Sequence, residues 1–311
     1  MVDLWNAQGF RSGLIFGLVA AAALLVIALV ASARRSERSL PLAGAVLAAG
    51  GLWSISESRN IPSWVVLGVI GVGVAGALTH VQWIPRWCCV VLAVPFAAAI
   101  GFRGELVADT WLGVLVTISA SGGALLAAEF DHGWRTESAG LTLLGVSVLG
   151  VYATVPDTES VAPLVGVVLP LLVLGWPVRF ATLGRAGAPA AVALLMWAGA
   201  VGAEGRPASL IAAVACLGLL VGSPVGWIVL PRVGERFRRS PRAALMLCLV
   251  VSHVVIVLVA SRVGGPLSDP EVAATVGALV GLTAVLIGAA FRPPSPAVSR
   301  RVSSDFGDGP A

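Results

Sequence analysis

The feature that most constrains this chain is a series of long apolar stretches that contain no Asp, Glu or Arg. A transmembrane helix needs about 20 mostly apolar residues, within a range of about 17 to 25. Helices satisfy all their backbone hydrogen bonds internally, which lipid requires. The stretches predict eleven helical spans, at 12–33, 39–56, 61–79, 87–102, 110–128, 138–156, 160–178, 186–203, 207–231, 243–261 and 272–291.

Composition supports the same class of protein. The 311 residues are 58% hydrophobic and 12% charged, against about 25% charged in soluble domains. The expected fold is an all-α polytopic transmembrane bundle that forms a single domain over residues 1–292. Three stretches, 39–56, 87–102 and 186–203, are short or Gly-rich, so tilted or re-entrant segments remain open there.

The arginines predict the orientation of the bundle. With the N-terminus outside, the inner connections hold 15 arginines and the outer connections hold 5. The carboxylates make the net charge +8 inside and −4 outside. Short cytoplasmic loops are enriched in basic residues, so the C-terminus is predicted to be cytoplasmic. The outer arginines are Arg11, Arg59, Arg103, Arg206 and Arg262.

Tryptophans follow the same pattern, because indole rings prefer the headgroup level of a membrane. Trp5, Trp53, Trp64 and Trp111 fall near predicted outer ends, and Trp197 alone falls mid-span. Five others lie near inner ends: Trp83, Trp87, Trp134, Trp176 and Trp227.

The N-terminal stretch has two interpretations. Ala31-Ser32-Ala33 has the small-x-small form of a signal-peptide cleavage site. The preceding residues lack a basic region, however, and Arg34-Arg35 follows at once. We therefore interpret 12–33 as a retained first span.

The setting predicted for the protein is a bacterial inner membrane, crossed several times. All the basic residues are Arg, and Ala, Gly, Val and Pro are abundant, which is typical of a high-GC bacterium. The polar tail 293–311, rich in Pro and Ser, is predicted to be disordered and cytoplasmic. The expected partners are the lipid bilayer and, as an open alternative, other membrane subunits; nucleic acid is not expected.

Small residues mark where helices are expected to pack, because close backbone approach drives helix association in lipid. The glycines recur at intervals of four, which places them on one helix face. Packing within the chain is favoured over a dimer interface. The candidate packing residues are Gly9, Gly13 and Gly17 in the first span, Gly218, Gly222 and Gly226 in the ninth, and Gly277 and Gly281 in the eleventh.

A candidate substrate path runs through the interrupted helices. Gly222-Ser223-Pro224 lies in the ninth span and Pro170 in the seventh, and Pro breaks the helical hydrogen-bond ladder. Interrupted helices expose backbone groups to substrate in many transporters, although a structural kink is favoured here. His253, after Ser252 in the tenth span, is an ionisable group near mid-membrane, which is a functional hypothesis by default; a packing histidine is the favoured alternative.

Other polar residues are interpreted as structural. Glu129, Asp131 and His132 could bind a metal or move protons, but a solvated loop explains them more simply. Outer carboxylates such as Asp157 and Glu159 precede predicted helices, where they favour the helix N-terminus; an acidic vestibule is the functional alternative. We expect no catalytic residue, metal or cofactor, and the four cysteines show no metal-binding spacing.

The sequence thus leaves two functional hypotheses. The first is a permease or carrier for an apolar or weakly charged solute, because membrane-embedded charge is nearly absent. The second is a non-catalytic structural or accessory subunit of a larger envelope complex. An enzyme acting on a lipid-linked substrate ranks third, because no acid–base groups cluster at either interface.

Overall fold

A computed structural model describes residues 5, 9–33, 41–79, 81, 84, 86–103, 117, 139–175, 181–203, 206, 209–210 and 213. Their secondary structure is helical, with turns and loops between the helices, which confirms the all-α part of the prediction. The helices with defined bounds are α1 (Phe10–Ala33), α2 (Ala43–Ser58), α3 (Ser63–Leu78), α4 (Arg86–Arg103), α5 (Ala139–Thr154), α6 (Ala162–Gly175) and α7 (Gly187–Gly202).

Each of these helices lies within four residues of a predicted apolar stretch at both ends. Helices begin and end near these positions because charged and Gly- or Pro-containing connections interrupt the apolar runs. The predicted spans 110–128, 207–231, 243–261 and 272–291 lie outside the described residues, apart from isolated positions. The tail 293–311 also lies outside them.

In the described part of the chain, α1 contains the one segment long and apolar enough to cross a membrane, Phe10–Val30. Only 28% of this segment is buried, whereas the core helix of a soluble protein would be mostly buried. A membrane span and a signal sequence both have this composition. The other helices contain shorter apolar segments: a 16-residue helix extends about 24 Å, less than the hydrocarbon core of about 30 Å.

The burial pattern of α1 follows helical periodicity. Its buried positions are Phe10, Gly13, Gly17, Ala21, Leu24 and Ala28, which form one stripe. Its other faces expose large apolar side chains, including Ile15, Leu18, Val19, Val26 and Ile27. Within the described part of the chain, α1 is therefore apolar over most of its surface but buried along one stripe.

The interior of the bundle is built around α6 and α7. Helix α7 packs against α2, α3 and α5, while α6 packs against α1, α2 and α5. In α7 every residue from Gly187 to Ala200 is buried, and a helix that is apolar all round is expected to be buried. Helix α4 packs mainly on α3, with Gly68 of α3 beside Phe96 and Ile100 of α4.

The connections gather at two opposite ends of the bundle. One end, here called the Asp157 end, contains Arg59, Asp157 and Gly202. The other, the Gly184 end, contains Pro41, Thr79 and residues 181–186. Neighbouring helices consequently alternate in direction, as α5 and α6 do: Leu141, near the start of α5, contacts Gly175, at the end of α6.

Candidate functional site

A close helix contact joins α1 to α6 without side chains between the backbones. A Cβ atom added at Gly17 would lie 2.7 Å from the carbonyl oxygen of Val167 and 3.0 Å from its Cα. A Cβ at Gly13 would overlap the carbonyl oxygen of Pro163, and one at Gly166 would overlap that of Phe10. Glycines on both helices therefore permit this approach.

Gly9 extends the same contact to α2. Its φ of +87° is in the left-handed region, which glycine adopts without a steric penalty. A Cβ there would lie 2.8 Å from Cγ of Pro163 and 3.1 Å from the carbonyl oxygen of Ser54. The start of α1 is thus held between α2 and α6.

A second close contact joins α2 to α7 at the Gly184 end. A Cβ at Gly44 would overlap the carbonyl carbon of Gly187 and lie 2.7 Å from the backbone nitrogen of Ala188, and a Cβ at Gly187 would overlap the nitrogen of Ala45. Two glycines from distant parts of the sequence thus meet backbone to backbone. Glycine spacing within one helix could not identify this pair.

The loop 181–186 ties the Gly184 end together. The first N–H groups of α2, from Ala43 and Gly44, donate hydrogen bonds to the carbonyls of Thr182 and Leu183 at 3.0 and 3.1 Å. Arg185 Nη1 donates to the carbonyl of Thr79, 3.1 Å away, at the end of α3. The carbonyls of the loop therefore accept hydrogen bonds from the first amides of α2, and Arg185 places a cation at the end of α3. Both interactions are favourable with the helix dipoles, which are positive at the start of a helix and negative at its end.

Asp157 connects loops and a helix end at the Asp157 end of the bundle. One carboxylate oxygen lies 3.2 Å from Arg59 Nη1, which links the α2–α3 loop to the α5–α6 loop. The other oxygen accepts from the Glu159 N–H at 3.1 Å. The Asp157 N–H donates to the carbonyl of Gly202 at 3.0 Å, at the end of α7.

Ser160 completes this arrangement. Its hydroxyl donates to the carbonyl of Ala198 at 3.0 Å, near the end of α7. Gly202 leaves room for the loop, because a Cβ there would lie 2.6 Å from the carbonyl oxygen of Asp157. The α2–α3 loop, the α5–α6 loop and the end of the buried helix α7 are therefore joined at the Asp157 end.

Few polar side chains occur in the described interior. The buried polar residues are hydroxyl-bearing: Ser54, Ser147, Thr154, Ser160, Thr182 and Ser209. The Ser54 hydroxyl is buried without a hydrogen-bond partner. Trp197, predicted to lie mid-span, is 1% exposed in the centre of the bundle.

The structure places only part of the candidate substrate path. His253, Ser252, Gly222, Ser223 and Pro224 lie outside the described residues. The packing glycines Gly218, Gly226, Gly277 and Gly281 lie outside them as well. Pro170 is described: it is half-buried inside α6, and the helix continues through it from Ala162 to Gly175.

Pro163 lies in the first turn of α6, where its missing N–H breaks no intrahelical bond. One sequence interpretation needs correction. Asp157 was expected at a helix N-terminus, yet α6 starts at Ala162 and its first amide donates to the carbonyl of Thr158. Asp157 instead accepts a loop hydrogen bond from the Glu159 N–H and forms an ion pair with Arg59. Because Arg59 lies 98 residues away, local sequence cannot reveal this ion pair.

No family model matches the chain, and none of the curated proteins matches it. Among the residues that the structure describes, no group of three or more His, Cys, Asp or Glu side chains could hold a metal ion. What the described arrangement offers chemically is a closely packed apolar interior with hydroxyl groups and an ion pair at one end.

Proposed function

We propose that this chain is a multi-pass bacterial inner-membrane protein with about eleven spans, and that it acts as a carrier for an apolar or weakly charged solute. The observation that carries the membrane assignment is α1. Its exposed faces bear large aliphatic side chains, while its one buried stripe packs on α6. Apolar surface of this extent is stable against lipid rather than water.

The contact with α6 favours a retained span over a signal sequence for α1. Gly13 and Gly17 approach the backbone of Pro163 and Val167 closely, and Gly166 approaches α1 in return. Cleavage after Ala33 would remove this partner and expose the α1-facing side of α6. A leader that is removed needs no such complementarity.

The two ends of the bundle support the proposed sidedness. Arg59, Asp157 and Glu159, which the arginine pattern assigns to the outside, belong to connections at the Asp157 end. Arg185, assigned to the inside, lies at the Gly184 end. Helix α4 ends at the Asp157 end and α5 begins at the Gly184 end. The proposed span 110–128 would supply the crossing between these two ends.

The proposed solute path lies beyond the described helices, at Gly222-Ser223-Pro224 and at Ser252-His253. The described interior supports this location because aliphatic, Ala and Gly residues fill the space around α7. Its buried polar groups are hydroxyls, which favour an apolar or weakly charged solute over a strongly charged one. Helices α1 to α7 would then form the fixed part of the carrier.

The second candidate, an accessory subunit of an envelope complex, is favoured by one specific observation. Helix α7 is buried along almost its whole length, and both ends of the described bundle are joined by backbone hydrogen bonds. A protein built throughout in this way would serve as a scaffold with no path for a solute.

Two measurements test the proposal in sequence. Extraction of native membranes with alkaline carbonate should leave the chain in the pellet, and release into the soluble fraction would refute the membrane assignment. Single cysteines at Ser223 and Ser252, in a chain without its native cysteines, should then react with a small hydrophilic maleimide if they line a path. Ala193→Cys, in the buried centre of α7, is the unreactive control; equally slow labelling at all three positions would favour the accessory subunit.

A further inference from the structure

The tryptophans at the Asp157 end are unusually exposed for aromatic side chains. Trp5, Trp53 and Trp64 are 54%, 46% and 46% exposed. Trp53 lies near the end of α2, Trp64 near the start of α3 and Trp5 ahead of α1, so all three surround one end. Exposed indoles near one end of a helical bundle are typical of the headgroup region of a membrane.

Arg11 lies on one of these rings. Its guanidinium carbon is 5.3 Å from the centre of the Trp5 ring, a distance at which cation–π attraction operates. Its Nε donates a hydrogen bond to the carbonyl of Trp5 at 3.0 Å. Phe10 supports the indole from the side, with ring centres 6.1 Å apart. Two contacts with Trp5 thus orient the guanidinium, and Phe10 supports the ring beneath it. The bond through Nε leaves the two terminal nitrogens for a ligand.

Arg59, at the same end of the bundle, differs from Arg11 in having a carboxylate partner. Its Nη1 is paired with the Asp157 carboxylate, whereas no carboxylate among the described residues lies within ion-pair distance of Arg11. Arg11 also lies in the first turn of α1, where the helix dipole adds positive potential. A positive site at headgroup level calls for an anion, and a guanidinium binds phosphate through two parallel hydrogen bonds.

We propose that Arg11, held on the Trp5 ring, binds the phosphate of an outer-leaflet phospholipid. This inference rests on the proposed membrane location. The bound lipid would cover the start of α1, next to the contact of Gly9 with Ser54 and Pro163. The site would therefore fix the depth of α1 in the bilayer.

Native mass spectrometry of the full chain in detergent, titrated with phosphatidylglycerol, tests the proposal. We expect Arg11→Gln to weaken retention of the first lipid by about tenfold, which is the effect of losing a hydrogen bond to a charged group. Arg11→Lys keeps the charge but loses the planar fork. Its lipid retention should therefore lie between that of the unaltered chain and that of Arg11→Gln. Trp5→Leu should also weaken retention, because the stacked orientation is lost.

Arg59→Gln is the matched control, since it removes the same charge at the same end from a guanidinium already paired with Asp157. Equal losses in Arg11→Gln and Arg59→Gln would indicate a general charge effect and overturn the proposal. Unchanged retention in Arg11→Gln would also overturn it. Either result leaves the membrane assignment intact, because carbonate extraction tests that separately.

Discussion

At the scale of single residues, glycine at position 17 is required by the backbone of α6. Replacing Gly17 with Ala would place a Cβ 2.7 Å from the Val167 carbonyl oxygen, and backbone atoms cannot rotate away as a side chain can. Overpacking of this kind costs about 1–3 kcal/mol, which outweighs the roughly 1 kcal/mol that Ala contributes to helix propensity. We expect a net loss in the free energy of unfolding, measured by circular dichroism during SDS titration in mixed micelles.

Gly73→Ala is the control for this prediction. Its Cβ would lie 3.3 Å from the Cβ of Ala190 and 3.4 Å from the carbonyl oxygen of Ala186, so a small shift accommodates it. We expect this variant to be close to neutral or slightly stabilised. Equal destabilisation at both positions would show that the α1–α6 contact is no tighter than the α3–α7 contact.

Sequence could identify one side of the α1–α6 contact but not the other. Gly9, Gly13 and Gly17 recur at helical intervals, which indicates a packing face. Their partners are Pro163, Gly166 and Val167, and no spacing links them to α1. A periodicity reveals the face of a helix, whereas the identity of its partner depends on tertiary structure.

At the scale of helices and loops, Asp157 connects three elements and so tests what holds the Asp157 end together. Asp157→Ala removes the acceptor for the Glu159 amide as well as the ion pair with Arg59. Arg59→Gln removes only the ion pair, whose partners are 48% and 20% exposed, and exposed pairs contribute about 0.2–1 kcal/mol. We expect Asp157→Ala to destabilise the protein more than Arg59→Gln does.

A double-mutant cycle over Arg59 and Asp157, measured by the same SDS titration, separates the contribution of the ion pair from that of the hydrogen bond to the Glu159 amide. Asp157→Asn keeps an oxygen acceptor for the Glu159 amide, so its cost should be close to that of Arg59→Gln. If Asp157→Asn were as destabilising as Asp157→Ala, the ion pair would be the dominant interaction at this end.

The positions of the described helices α1 to α7 were well predicted, because the absence of charge over an apolar run is a local property. The contacts that the connections make with one another and with helix ends were not predicted. Arg185 and Thr79 are 106 residues apart, and Arg59 and Asp157 are 98 apart, so both pairs depend on how the helices assemble. Charged residues near helix ends are also common enough that many pairings would satisfy the same sequence.

At the scale of the whole molecule, the bundle has two chemically different ends, and a membrane would separate them. Asp157, Arg59 and the exposed tryptophans lie at one end, while Gly184 and Arg185 lie at the other. The arginine distribution assigns the first to the outside. The proposed topology therefore places the Asp157 end outside and the Gly184 end inside, which labelling in intact cells can test.

Glu159 and Ala186 suit that labelling because each is exposed and they lie at opposite ends. In a chain whose native cysteines are replaced by Ala, Glu159→Cys should react with a membrane-impermeant maleimide in intact spheroplasts. Ala186→Cys should react only after the membrane is permeabilised, because the short loop 181–186 would face the cytoplasm. The reverse pattern would invert the bundle, while labelling of both before permeabilisation would mean that no bilayer separates the Asp157 end from the Gly184 end.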